Sequence, residues 1–222
     1  MRFCNGGFIL NRDIANFSKA TIVGLILTMS TTLAAQSTSP VRSFLELRQR
    51  NVVMQEWDLS CGAAALATLL NFQHGMGLTE KEVAIELINR PEYIENPELL
   101  KIKEGFSLLD LKLFVDRRGL RGEGFGGLTL DDLVEMSPVL IPVSFEGYNH
   151  FVIFRALAGN RLLVADPAWG NRTLMVDQFI DAWMDFGDIG RVGFVVSAEV
   201  KSSGKKPNNR LLATELDFVM LK

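Results

Sequence analysis

The stretch MQEWDLSCGAAALATLL, Met54 to Leu70, sets one cysteine at the head of an Ala- and Leu-rich run. A sulfur nucleophile needs anionic character, a base to take its proton, a group to hold that base, and donors for the oxyanion formed on the attacked carbonyl. Cys61 falls at the expected start of a helix, where free N–H groups and the macrodipole favour a negative sulfur. Gly62 is expected to keep that first turn open to a substrate carbonyl. Of the two histidines, His74 lies on the same helix, ~20 Å away at about 1.5 Å per residue. It is too far to act on the thiol. His150 opens an expected strand, HFVIFRAL, and is the candidate base. Asp166 ends RLLVADPAWG, and a hairpin through Gly159-Asn160 would bring it beside the His150 ring to accept the other imidazole N–H. Gln55, upstream of Cys61, carries a side-chain amide suited to an oxyanion. Each of these has a plainer reading alone. A lone cysteine often packs as a small hydrophobe, a histidine can be structural, Asp-Pro is a turn, and a glutamine is commonly a surface residue. Trp57 and Trp169 flank these positions and are expected in the core rather than as a substrate platform.

The elements that must position these groups divide the chain in two. GAAALATLLNFQ after Cys61 is expected as a largely buried helix stopped at His74-Gly75. Thr79-Glu80-Lys81-Glu82 is a capping box opening a helix to about Asn89. A loop is expected between Pro91 and Pro97. Ser107 caps a helix that stops at Gly119, and Thr129 caps a short one through Met136. Strands then follow at Val139 to Phe145, His150 to Leu157, Arg161 to Ala165, Thr173 to Val176 and Val192 to Ser197. Turn residues separate them at Gly147-Tyr148-Asn149 and Gly159-Asn160, and a short helix is expected over Asp177 to Asp185. Phe44 to Val53 reads as a strand or lead-in segment. Helices first and an antiparallel sheet second make an α+β arrangement.

The N-terminus is different material. Arg2, Arg12 and Lys19 precede an apolar run, Ala20 to Leu33, followed by Ala34-Ala35-Gln36. This is the pattern of a secretory signal peptide cut near Ala35. Thr28, Ser30, Thr31 and Thr32 interrupt the run, which falls short of the ~20 apolar residues of a spanning helix, so export is expected over anchoring. Cys4 lies too far upstream to serve as a lipid attachment site. The expected organisation is a signal peptide over 1–35, a linker or lead-in over 36–49, one domain over 50–200, and a polar linker with an apolar tail over 201–222. Cleavage leaves Cys61 as the sole cysteine of a periplasmic protein, where an odd thiol pairs with another chain or is used chemically. The formal net charge is -3, and no basic run exceeds Lys205-Lys206, which argues against nucleic acid as a partner. No cofactor or metal is called for.

Gln55 with Cys61-Gly62 and an Ala/Leu helix, then Asn149-His150-Phe151-Val152-Ile153, then Asp166-Pro167-Ala168 with Gly170, resembles the bacteriocin-processing, double-glycine cysteine peptidases. The resemblance spans about residues 50 to 197. It implies a papain-like fold with Cys61 as nucleophile, His150 as base, Asp166 as orienter and Gln55 as oxyanion donor. One departure is Ser60, where many members carry Asp. Another is layout, because this chain has an export signal and neither a later spanning run nor a Walker motif. In that respect, and over Val41 to Gly75, it is similar to the periplasmic peptidase-like component of functional-amyloid (Fap) secretion systems. That likeness implies a peptide or protein client, amyloid subunits or an outer-membrane secretion component among them, and a role in biofilm. Two rivals stand beside hydrolysis. One is a peptidase-like binding or chaperone module for an extended client; the other is acyl transfer to an amine, which shares the first half-reaction.

Overall fold

In the computed structural model the described residues are 43–102, 105–198 and 210–221. The expected signal peptide, its cleavage point and most of the two linkers lie outside them. Among the described residues no helix is long and apolar enough to cross a membrane.

Alternation of apolar residues builds a six-stranded, wholly antiparallel sheet in the order β1-β6-β2-β3-β4-β5. The strands are β1 Leu120–Phe125, β2 Val139–Phe145, β3 Tyr148–Ala158, β4 Arg161–Asp166, β5 Gly170–Met175 and β6 Gly193–Ala198. Strand β1 was not foreseen; its LRGEGF is polar and glycine-rich, and only the pairing with β6 identifies it. Strand β3 begins earlier than His150, because Glu146 and Gly147, with φ 52° and 84°, make the two-residue turn themselves.

From His150 to Phe154, ahead of the bulge in β3, even-numbered residues face one apolar cluster and odd-numbered ones the other. Ile153, Ala165, Leu140 and Phe194 meet α2 (Cys61–His74), α3 (Glu80–Ile88) and α6 (Leu108–Arg117) through Leu66, Leu69, Leu70, Val83, Leu87 and Phe114. On the opposite face Val152, Phe154, Val143 and Val164 meet α7 (Leu130–Met136) and α8 (Val176–Ala182) through Leu133 and Phe179. The sheet is thus covered on both sides, and the α+β expectation holds.

Helix α2 is buried continuously from Cys61 to Leu70, which explains why it lacks a polar face. Gly75, at φ 73°, ends it by donating its N–H to Asn71. The capping boxes at Thr79, Ser107 and Thr129 form as read.

Two expectations are corrected, and the apolar tail gains a structure that its sequence left open. The Pro91–Pro97 loop contains α4 (Pro91–Glu95), with proline in its first turn, and α5 (Leu99–Ile102) follows it. Phe44–Gln49 is a helix, α1, because Ser43 and Glu46 form a capping box that a strand reading overlooks. The C-terminal segment includes α9 (Glu215–Met220), and Leu211 is fully buried in the α2-side cluster.

Candidate active site

Helix α2 delivers Cys61 to one end of the sheet. Its N-cap Ser60 makes no side-chain bond to the first turn. The hydroxyl instead lies 2.6 Å from the Trp57 carbonyl oxygen and in contact with Glu80. The first-turn N–H groups of α2 therefore receive no cap from Ser60 and remain donors beside the sulfur. Glu80 is itself buried, and its other oxygen accepts the Glu56 N–H at 2.9 Å. One carboxylate thus pins both ends of the Glu56–Ser60 loop. The sequence showed Glu80 only as a first-turn acid of α3, and nothing local announces its contact with the Glu56–Ser60 loop.

The Gly62 expectation is corrected. A Cβ there would lie 3.2 Å from the Phe151 ring, so the absent side chain lets α2 settle on β3 rather than opening the turn to substrate.

His150 pairs with Val143 across the sheet and so stands on the α8-side face, opposite the face that α2 covers. Ile153 pairs with Ala165, a register that sets Asp166 diagonal to His150 on the same face. Their side chains close that diagonal, with His150 Nε2 2.8 Å from Asp166 Oδ1. A carboxylate only accepts, so Nε2 carries a proton in either charge state, and in the neutral ring it is Nδ1 that keeps the lone pair. Nδ1 is buried without a hydrogen-bond partner and is the nitrogen available to the thiol proton. Burial pulls the His150 pKa down, but the Asp166 hydrogen bond and the neighbouring Cys61 side chain outweigh it and raise the pKa to about 9. The imidazolium is thus the favoured form at neutral pH.

Asp166 is fully buried, which by itself favours the neutral acid. The His150 bond, the charges of His150 and Arg172, and the Ala168 N–H at 2.9 Å together hold its pKa below the usual carboxylate range. Arg172 Nη2 stands 2.8 Å from Oδ2, and its guanidinium lies 4.5 Å over the Phe145 ring. Arg172 was not singled out from the sequence; it reaches Asp166 only because β5 folds back antiparallel on β4.

The structure brings Cys61, His150 and Asp166 together. Gln55 is close by: its backbone N–H donates to the Pro167 carbonyl at 2.8 Å, tying the Cys61 loop to the Asp166 turn. Its side-chain Nε2 donates to the Trp57 carbonyl at 2.8 Å, which uses one of two amide protons. His74 is kept apart at the far end of α2, its Nε2 3.2 Å from the Val196 carbonyl oxygen. Trp57 and Trp169 are not core residues; they are 44% and 60% exposed. Their neighbours in sequence form tight turns at the sheet end, which leaves the indoles at the surface.

Residues 49–186 match the model of the Peptidase C39 family. Two relatives, each named "Probable functional amyloid protease FapD", come from Pseudomonas aeruginosa and Pseudomonas fluorescens, at 33% identity over 144 residues and 34% over 145. Each alignment covers 64% of this chain and 61% of the relative, so the chain spans less than two thirds of their length. Among solved structures, a double glycine motif protease from an AMS/PCAT transporter, in complex with the leader peptide, superposes with a TM-score of 0.52 at 20% identity. That match covers 67% of this chain and 91% of that one. The peptidase domain of Streptococcus ComA, a bi-functional ABC transporter involved in quorum sensing, gives a TM-score of 0.52 at 14% identity, over 67% and 98%. At such identities the likeness speaks to the fold.

Proposed function

The chain belongs to the Peptidase C39 family, and from that premise we propose that it is an exported cysteine endopeptidase that acts on a polypeptide client of a functional-amyloid secretion system. The observation that carries the chemistry is the buried His150–Asp166 pair, at 2.8 Å, beside a cysteine on an uncapped helix start.

In the proposed reaction His150 Nδ1 takes the Cys61 proton, and the thiolate adds to the scissile carbonyl carbon. The oxyanion is held by the Cys61 backbone N–H and the remaining amide proton of Gln55. Collapse breaks the C–N bond while the imidazolium Nδ1–H protonates the departing amine. A water then gives its proton to Nδ1 and attacks the thioester, which releases the carboxyl product and restores the pair. Asp166 keeps Nε2 protonated throughout, so that Nδ1 is always the nitrogen in play.

The amyloid client is supported by the names of the relatives, and export by the Arg/Lys-flanked apolar run before Ala35. One experiment addresses all three parts. Active protein and Cys61→Ala are each co-expressed with candidate secreted amyloid subunits, and intact masses are measured in the periplasmic and extracellular fractions. The expected result is a partner shortened only with active protein, and a mature enzyme beginning near Gln36. Identical partner masses with both proteins would overturn the peptidase reading, and a product retaining Met1 to Lys19 would overturn cleavage of the signal.

A further inference from the structure

Two cavities meet at His150. One, of about 450 Å3, contains Cys61 and is walled by apolar side chains such as Phe106, Phe151 and Met184. The other, of about 700 Å3, lies on the Asp166 side and contains Tyr148, Trp169 and Arg172 but not Cys61. A carbonyl bonded to sulfur belongs to the first cavity. The departing nitrogen must lie within ~3 Å of the imidazole that protonates it. The chain beyond that nitrogen passes His150, which lines both cavities, so its first residues enter the second.

The walls of that second cavity are built for contact. Trp169 is exposed on an anchored backbone: its main-chain N–H donates to the Asp166 carbonyl at 3.2 Å, and its own carbonyl accepts from Arg48 Nη2 at 2.6 Å. The Arg48 guanidinium lies 6.0 Å from the indole centroid. Tyr148, 53% exposed, lies beside the His150 ring with centroids 5.8 Å apart. Two aromatic rings at a cleft rim offer large contact area at little cost in rotamer freedom. Charge points the same way. Glu146, Asp166 and Asp181 outweigh Arg172 and the His150 imidazolium by one charge in the cleft lining, with Arg48 at its edge beside the indole. Such a cleft suits a newly released α-amino group, which is largely cationic at neutral pH, and repels acidic side chains.

Resting on the peptidase reading above, we propose that the cleft between Tyr148, Trp169 and Arg172 is the subsite for the polypeptide immediately after the scissile bond, and that it takes an aromatic side chain and rejects an acidic one. Two probes with the same acyl part ending in Gly-Gly test this. One carries aminomethylcoumarin as leaving group, the other an internally quenched Phe-Ala-Ala extension. In wild type the extension should raise kcat/KM about tenfold, a gain lost when Phe is replaced by Glu. Trp169→Ala should lose the gain and Trp169→Phe keep most of it. A gain that persists in Trp169→Ala, or no gain in wild type, overturns the subsite.

A second readout does not depend on turnover. The free-amine peptide Phe-Ala-Ala-amide, titrated into Cys61→Ala, should shift the Trp169 indole N–H resonance saturably, and Glu-Ala-Ala-amide should not. An unmoved resonance overturns the cleft. Wild type that cleaves neither probe while the resonance shifts overturns the peptidase reading and leaves the cleft standing.

Discussion

At the scale of single residues, the molecule gives its two histidines opposite electrostatic environments. His150 gains a buried carboxylate and a pKa of about 9, whereas burial of His74 lowers its pKa against a weaker, opposing bond from the Val196 carbonyl. His150→Ala is expected to lower acylation by ~10^3 or more, since members of one catalytic unit fail together. His74→Ala should leave turnover near wild type and cost about 1 kcal/mol of stability. Asp166→Asn should fall between, because an amide still orients the ring but stabilises the imidazolium less. Rates of the three variants on a verified peptide, with folding checked by circular dichroism, test the order. The pH dependence has a definite sign. The folded His150 pKa lies above its unfolded value of about 6.5, so its stabilising contribution is complete below pH ~6.5 and fades as pH rises through about 9. In Asp166→Asn that alkaline loss should be smaller and end at lower pH, which urea midpoints measured across the range would show.

At the scale of elements, the site depends on how tightly turns are closed. Gly170 has φ 81°, and a Cβ there would sit 2.5 Å from the Arg48 carbonyl oxygen. Gly147 has φ 84° but open space around it. Gly147→Ala therefore meets backbone strain alone, about 1 kcal/mol. Gly170→Ala meets strain and a backbone collision, and is expected to cost about 2–4 kcal/mol and to lower kcat, because Gly170 pairs with Asp166 in the register. Thermal midpoints together with kcat for the two variants separate strain from collision. Equal losses at both glycines would show that the contact with Arg48 is readily relieved.

For the whole molecule, the C-terminal segment is bound into the domain. The buried guanidinium of Arg155 donates through Nε to the Leu211 carbonyl at 2.7 Å, and through Nη1 to Asn171. Asn171 in turn donates to the Arg48 and Arg50 carbonyls at 3.0 and 2.8 Å, next to the lead-in helix. Asp217 holds Arg50 at 2.7 Å. Burial pushes the Arg155 pKa down to about 10, although the charge of Asp217 opposes it. Removing residues 201–222 takes from that cation the Leu211 carbonyl and the nearby Asp217 charge, and the loss should be about 3–5 kcal/mol. Urea unfolding of the truncated chain would measure it; a midpoint unchanged from wild type would mean that water replaces the Leu211 carbonyl at no cost.

The sequence by itself determined the α+β class, the principal helices, five of the strands and the chemical types assembled at the site, because periodicity, caps and turn residues are local signals. Cys61, His150 and Asp166 could be picked out by type and spacing. The approach of Asp166 to His150 was legible from the hairpin through Gly159-Asn160, but their meeting with Cys61 was not, since it requires α2 on one face of the sheet and His150 on the other. Long-range partners were equally silent. Glu80 looked like a first-turn helix acid, Arg172 like any strand cation, and Leu211 like part of an apolar tail. Each acquires its role from a neighbour distant in sequence, and only tertiary packing decides which neighbour that is.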